Sequence, residues 1–222
     1  MCGASKPAVG AQPFSIASRG SMTAPTVDLA LGLDPSTKII GFAFVDLAEG
    51  AIKWHGVLKI NEPDKGWRDQ QIAKQLRILK ETLDARSEKD GVTYRLRVVG
   101  IERMFLGINA KTALELAYCA GAVHQATRTS FPNIEILRFL PPDWREKCGL
   151  ERNASKAALV ERATELGAEP DTPQDEVDSI LIAIAARGSH RAQAPATRPR
   201  TKPKPKPKPS GDRPRVVRAK RT

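Results

Sequence analysis

Leu29-Ala-Leu-Gly-Leu-Asp34-Pro-Ser-Thr-Lys38-Ile-Ile-Gly-Phe-Ala-Phe-Val-Asp46 is the stretch that sets the fold class. Two apolar runs rich in β-branched and aromatic residues, 28–34 and 39–46, flank the turn-forming Pro35-Ser-Thr-Lys38, a pattern of two antiparallel strands. The first run closes on a carboxylate, Asp34. A later run, Val98-Val-Gly-Ile-Glu102, closes the same way, and Asp175 and Asp178 open a helix that is otherwise almost wholly apolar. Carboxylates at the ends of buried elements are costly unless a charge meets them, and three or four together suit a hard, oxygen-seeking divalent cation. Magnesium-dependent phosphoryl chemistry is the first expectation.

Outward from that stretch, residues 51–60 alternate as a third strand behind a turn at Glu49-Gly50. Ile72, Leu76, Leu79 and Leu83 recur at helical spacing between Trp67 and Arg86. A fourth strand is expected over 95–102, a helix from Asn109 to Arg128, and a fifth strand over 134–139. After Pro141-Pro142 come a short helix at 143–147, another over 153–167 and a last over 172–187. The reading is an α/β fold: a five-strand mixed sheet, an antiparallel three-strand meander plus two further strands, with helices on both faces.

At 222 residues and 41% hydrophobic the chain can bury one core. No apolar run reaches the roughly 18 residues of a membrane span, so no membrane association is expected. The three cysteines Cys2, Cys119 and Cys148 have no metal-ligand spacing, nor do His55, His124 and His190; an odd cysteine count fits a reducing compartment. The first 22 residues do not read as a secretory signal, and Met22 is a candidate start. The net charge of +11 lies entirely in residues 191–222, where twelve Lys/Arg face the single acid Asp212. Lys202-Pro-Lys-Pro-Lys-Pro-Lys-Pro209 has nothing to bury, so the tail is expected to be disordered and to attract polyanions, nucleic acid first. Three regions follow: a disordered extension over 1–26, a folded domain over 27–190 and a disordered basic tail over 191–222.

With acids at the ends of strands one and four and on the last helix, the chain resembles the ribonuclease H-like superfamily, and within it the RuvC-type Holliday junction resolvases, of cellular or phage type. The residues that carry this are Leu33-Asp34-Pro35-Ser36 with Gly41-Phe42-Ala43; Gly100-Ile101-Glu102-Arg-Met-Phe105 with Asn109-Ala110 and Ala113-Leu114; and Asp175-Glu-Val-Asp178-Ser-Ile-Leu-Ile-Ala-Ile-Ala185. The likeness spans about 28–188. Ser36 stands where the family usually has glycine, and the Lys/Pro tail has no counterpart in the family's core.

The resemblance implies a structure-selective endodeoxyribonuclease that resolves four-way junctions, or related flaps and forks, by paired nicks leaving 5′-phosphate and 3′-hydroxyl ends. Two Mg²⁺ per site, with Mn²⁺ able to substitute, would be held by Asp34, Glu102, Asp175 and Asp178 as metal ligands and catalytic residues. Residues three apart share a helix face, which leaves Glu176 turned elsewhere. Phe105 matches an aromatic that stacks on bases, Lys156 a basic position near the scissile phosphate, and Arg145 and Lys147 a second basic position more loosely. Paired nicks imply a homodimer, for which Ala113, Ala117, Ala120 and Gly121 offer close approach. The expected location is the cytoplasm, on nucleoid or phage DNA.

Each residue also has a plainer reading. Asp34 suits a turn before proline. Thr172-Pro173-Gln174-Asp175 suits a helix cap with Thr172 at N-cap. Phe105 suits a core, and the small residues suit packing on the sheet. Two other classes compete: a non-catalytic branched-DNA binder, which would be expected to lose acids, and an actin-like phosphotransferase, which would need a second glycine-rich phosphate loop and about twice the length.

Overall fold

The computed structural model describes residues 24–60, 65–103 and 110–193. Five strands, β1 (Thr26–Pro35), β2 (Ile39–Asp46), β3 (Ile52–Lys59), β4 (Thr93–Glu102) and β5 (Glu135–Phe139), form one mixed sheet in the order β3-β2-β1-β4-β5. β1 pairs antiparallel with β2 and parallel with β4, and β5 runs parallel to β4. The meander and the two added strands are therefore as the sequence reads. The architecture is ribonuclease H-like.

β1 is central, so both its faces are buried and its residues divide by parity. Leu29, Leu31 and Leu33 join Val99 and Ile101 of β4 under α1 (Lys65–Asp90) and α2 (Ala110–Ser130), where Ile72, Leu76, Leu79 and Leu83 complete a first core. Ala30 and Val98 face the other way, into a second core with Trp144 of α3 (Pro141–Lys147), Leu159 of α4 (Lys156–Glu165) and Val177, Ile180 and Leu181 of α5 (Gln174–Gln193). Gly32, Asp34, Gly100 and Glu102 share the parity of this second face. The position of α5 depends on that.

A Cβ on Gly32 would lie 2.0 Å from the Ser179 carbonyl oxygen, and one on Gly41 would lie 2.0 Å from that of Asp175. The helix backbone rests directly on the strands, and side chains at these two positions would lift it. α5 runs from Asp175 over β2, across β1 and over Gly100 of β4, to His190, whose Nδ1 meets Glu135 Oε2 of β5 at 2.5 Å.

Two local expectations are corrected, and the departure at Ser36 is accounted for. α4 begins at Lys156, capped by Ser155, whose hydroxyl accepts from Ala158 N; Asn153 is not its start. α5 begins at Gln174, and the buried Thr172 hydroxyl has no partner, so it does not cap the helix. Ser36 closes the β1–β2 turn: its hydroxyl donates to Ile39 O at 2.8 Å and accepts from Ile39 N at 3.1 Å. No positive φ is needed at this position, so serine serves where glycine is usual. Cys119 is buried on α2, 3.8 Å from Arg68 Nη1 of α1. Cys148 is buried on the opposite side of the sheet and donates to Leu181 O at 3.1 Å. No helix among the described residues is long and apolar enough to cross a membrane.

Candidate active site

Leu33 pairs with Ile101 in parallel register, so Asp34 and Glu102 leave neighbouring strands side by side and on the same face of the sheet. The first turns of α5 lie over that face. Asp175 sits on Gly41, the cross-strand partner of Asp34, and Asp178 lies one turn further along. The fold thus brings the four expected acids to one end of the sheet.

Their electrostatics is that of a pocket hostile to its own charge. Burial pushes the Asp34 carboxyl well above the usual carboxylate range, and the charges of Glu102, Asp178 and Asp175 push it further. Glu102 is raised to about 7, first by burial and then by Asp178, against the opposing pull of a Trp144 hydrogen bond and the Arg145 charge. Asp178 is raised by burial as well, although Gln174, Arg145 and Lys156 draw it down. Two neutral donors hold the carboxyls: Trp144 Nε1 donates to Glu102 Oε2 at 2.8 Å, and Gln174 Nε2 to Asp178 Oδ1 at 2.7 Å. Among the described residues no three Asp, Glu, His or Cys side chains converge to ligand spacing as they stand. The four acids share a pocket without meeting at one coordination point.

Of the basic residues singled out from the sequence, Arg145 lies with its guanidinium 5.2 Å over the Trp144 ring, and its charge is felt by both Glu102 and Asp178. Lys156, at the exposed start of α4, acts on Asp178. Lys147 is elsewhere: it lines a cleft beside β5 with Arg138, Phe139 and Ser189. Phe105 lies outside the described residues, as does Asn109. Glu176 is turned away from the acids, its Oε2 2.5 Å from His55 Nδ1 of β3, which ties the first turn of α5 to the far side of the meander. Ala113 and Ala120 face inward and are buried, whereas Ala117 and Gly121 are exposed in a groove between α1 and α2.

The sequence reading missed Trp144, Gln174 and the glycine seat of α5. Glycine inside a strand pattern signals a close backbone approach, so Gly32, Gly41 and Gly100 were findable. Nothing in the local pattern marks Trp144, because its partner is distant in sequence.

The sequence model of the family described as crossover junction endodeoxyribonuclease RuvC matches residues 30–186. Among curated relatives, the crossover junction endodeoxyribonuclease RuvC of Brachyspira hyodysenteriae is 24% identical over 165 residues, covering 73% of this chain and 96% of that protein. The Rickettsia akari protein of the same name is 28% identical over 159 residues, covering 70% and 94%. Among solved structures, Thermus thermophilus RuvC superposes with a TM-score of 0.57 at 17% identity, covering 74% of this chain and 96% of that one. The same organism's RuvC in complex with Holliday junction substrate gives 0.56 at 16% identity, with the same coverage.

Proposed function

Because this chain belongs to the RuvC family of crossover junction endodeoxyribonucleases, we propose that its four-carboxylate pocket hydrolyses the phosphodiester backbone of branched DNA, four-way junctions above all. The observation that carries the reading is the crowding of Asp34, Glu102 and Asp178 in a desolvated pocket where each resists ionisation. Such a pocket is stable with its acids charged only when a cation joins them, and an all-oxygen donor set fits a hard divalent ion. Asp34, Glu102 and the Asp175/Asp178 pair would hold two Mg²⁺, with Mn²⁺ able to substitute. When bound, such ions lower the pKa of a water and offset charge developing on the phosphate.

The chain's own residues do the positioning. Trp144 holds one Glu102 oxygen and Gln174 one Asp178 oxygen, which fixes both carboxyls before substrate arrives. Arg145, stacked on Trp144, and Lys156 set positive charge on the flank where a strand's phosphates must approach an otherwise acidic pocket. The products are a 5′-phosphate and a 3′-hydroxyl. All four acids are present, which favours catalysis over junction binding alone.

Paired nicks in a two-fold junction call for two such pockets, hence a homodimer. The face supporting it is that of α1 and α2, where Trp67 (57% exposed), Ile78 (39%), Leu114 (72%) and Tyr118 (48%) turn apolar surface outward beside the Ala117 and Gly121 groove. The substrate sets the compartment as the cytoplasm.

The experiment is cleavage of labelled four-way, flap and linear duplex DNA by the purified protein with Mg²⁺. Asp34→Asn and Asp178→Asn should lose cleavage by orders of magnitude and keep junction binding, whereas Glu176→Gln, facing His55, should cut normally. Wild-type cutting by either Asn variant, or equal loss at Glu176 and Asp178, overturns the assignment.

A further inference from the structure

We propose that the outer edge of the sheet along β5, bearing Arg128, Arg138 and Lys147, is a second DNA contact that holds a duplex arm of the substrate beside the acidic pocket. The inference rests on the branched-DNA reading above and adds to it a surface outside the four-carboxylate pocket.

β5 is an edge strand, and Arg138 on it pairs with Ile101, the residue before Glu102. Arg138 is therefore level with the acidic pocket and one strand further out. Arg128, exposed in the last turn of α2, lies close by: the His124 imidazole is held below its usual range by burial and then by the charges of Arg138 and Arg128 together. On the other side Arg138 and Lys147 line one cleft of about 360 Å³ with Phe139 and Ser189, and the buried Ser189 hydroxyl there has no partner. The edge thus offers exposed guanidiniums and an ammonium, donors that phosphate oxygens take.

The charges at this edge are uncompensated. Among the described residues Arg128, Arg138 and Lys147 make no ion pair. Elsewhere Arg95 and Arg97 meet Asp28, Arg152 meets Asp143 and Glu146, Arg162 meets Glu165, and Lys53 meets Asp46. The end of α5 is fastened to this edge through His190 and Glu135. Cations on an edge strand also discourage strand-to-strand association. That role alone predicts no effect on DNA.

The test is the salt dependence of duplex and junction affinity, by fluorescence anisotropy, for the full-length chain and two triple variants. Arg128→Gln/Arg138→Gln/Lys147→Gln removes the uncompensated charges. Arg95→Gln/Arg97→Gln/Arg152→Gln removes as much charge from paired positions. Three lost phosphate contacts should flatten the slope of log affinity against log salt by about 2.7, at roughly 0.9 per contact, and the second variant should leave it near wild type. Equal flattening in both, or an unchanged slope in the first, overturns the proposal. Should the first triple not fold, Arg138→Gln alone should flatten the slope by about 0.9, and no change overturns it. Junction cleavage by the wild type, followed in parallel, separates the two readings. Cleavage without a contrast in slope strikes only the β5 edge, and a contrast in slope without cleavage supports the edge while striking the nuclease assignment.

Discussion

A methyl group on Gly41 tests whether the seat of α5 sets the catalytic geometry. In Gly41→Ala the new carbon would stand 2.0 Å from the Asp175 carbonyl oxygen and 2.8 Å from its carbon, whereas real Cβ contacts stay above 3.0 Å. The close-packed strand cannot yield, so the first turn of α5 must retreat by about 1 Å, taking Asp175 and Asp178 away from Asp34 and Glu102. Overpacking of this kind costs about 1–3 kcal/mol, which lowers the melting temperature of a domain this size by several degrees. The larger effect is on rate, because a misplacement of about 1 Å in a reacting constellation can cost roughly 100-fold. Single-turnover cleavage of a saturating four-way junction reads the rate, and thermal melting the stability. Gly188→Ala is the control: nothing lies within 4 Å of a Cβ there, on the exposed side of the same helix. It should gain about 0.5–1 kcal/mol with cleavage unchanged. A Gly41→Ala protein that melts lower yet cuts at the wild-type rate would refute the reasoning, since the acids would then tolerate the displacement.

Asp34→Asn should abolish cleavage while raising the melting temperature of the ion-free protein, because it removes a charge that Glu102, Asp178 and Asp175 all oppose; a lower melting temperature would contradict the repulsion. Glu102 binds its proton more tightly folded, at about 7, than unfolded, near 4.5, so ion-free stability should decline as pH rises through that window, by about 3 kcal/mol in all. Melting in chelator from pH 5 to 8 checks this, and added Mg²⁺ should shrink the decline. Trp144→Phe removes the donor that stabilises ionised Glu102, so its carboxyl should rise further and the cleavage profile shift to higher pH; an unmoved profile would show that the hydrogen bond does not tune the pocket. Truncation after Gln193 should flatten the salt dependence of DNA binding without lowering the melting temperature.

Much of this was legible because it is local. The run from Leu29 to Asp46 specifies its own pairing, since an alternating strand that slipped by one residue would turn Leu29, Leu31 and Leu33 away from α1 and α2. The same parity sends Asp34 and Glu102 to the α5 side, so two strand-end acids were readable as neighbours once the strands were. What escaped depends on distance. Lys147 follows Arg145 by two residues, and on a short helix that rotates it from the acidic pocket to the β5 edge. Trp144 meets Glu102 from 42 residues away. Thr172 looked like a cap because the local motif allowed it, but α5 starts two residues later, on the seat that Gly41 provides.

The two buried thiols give each layer of the molecule its own reporter. Cys119 is enclosed between α1 and α2 on one side of the sheet, and Cys148 beneath α5 on the other, with its thiol pushed up to about 12 by burial. Alkylating reagents attack thiolates, so Cys148 should stay unmodified until its layer opens. Labelling at each site, followed by peptide mass mapping, therefore times the detachment of the layer that carries the four clustered acids separately from the layer proposed to meet a second copy.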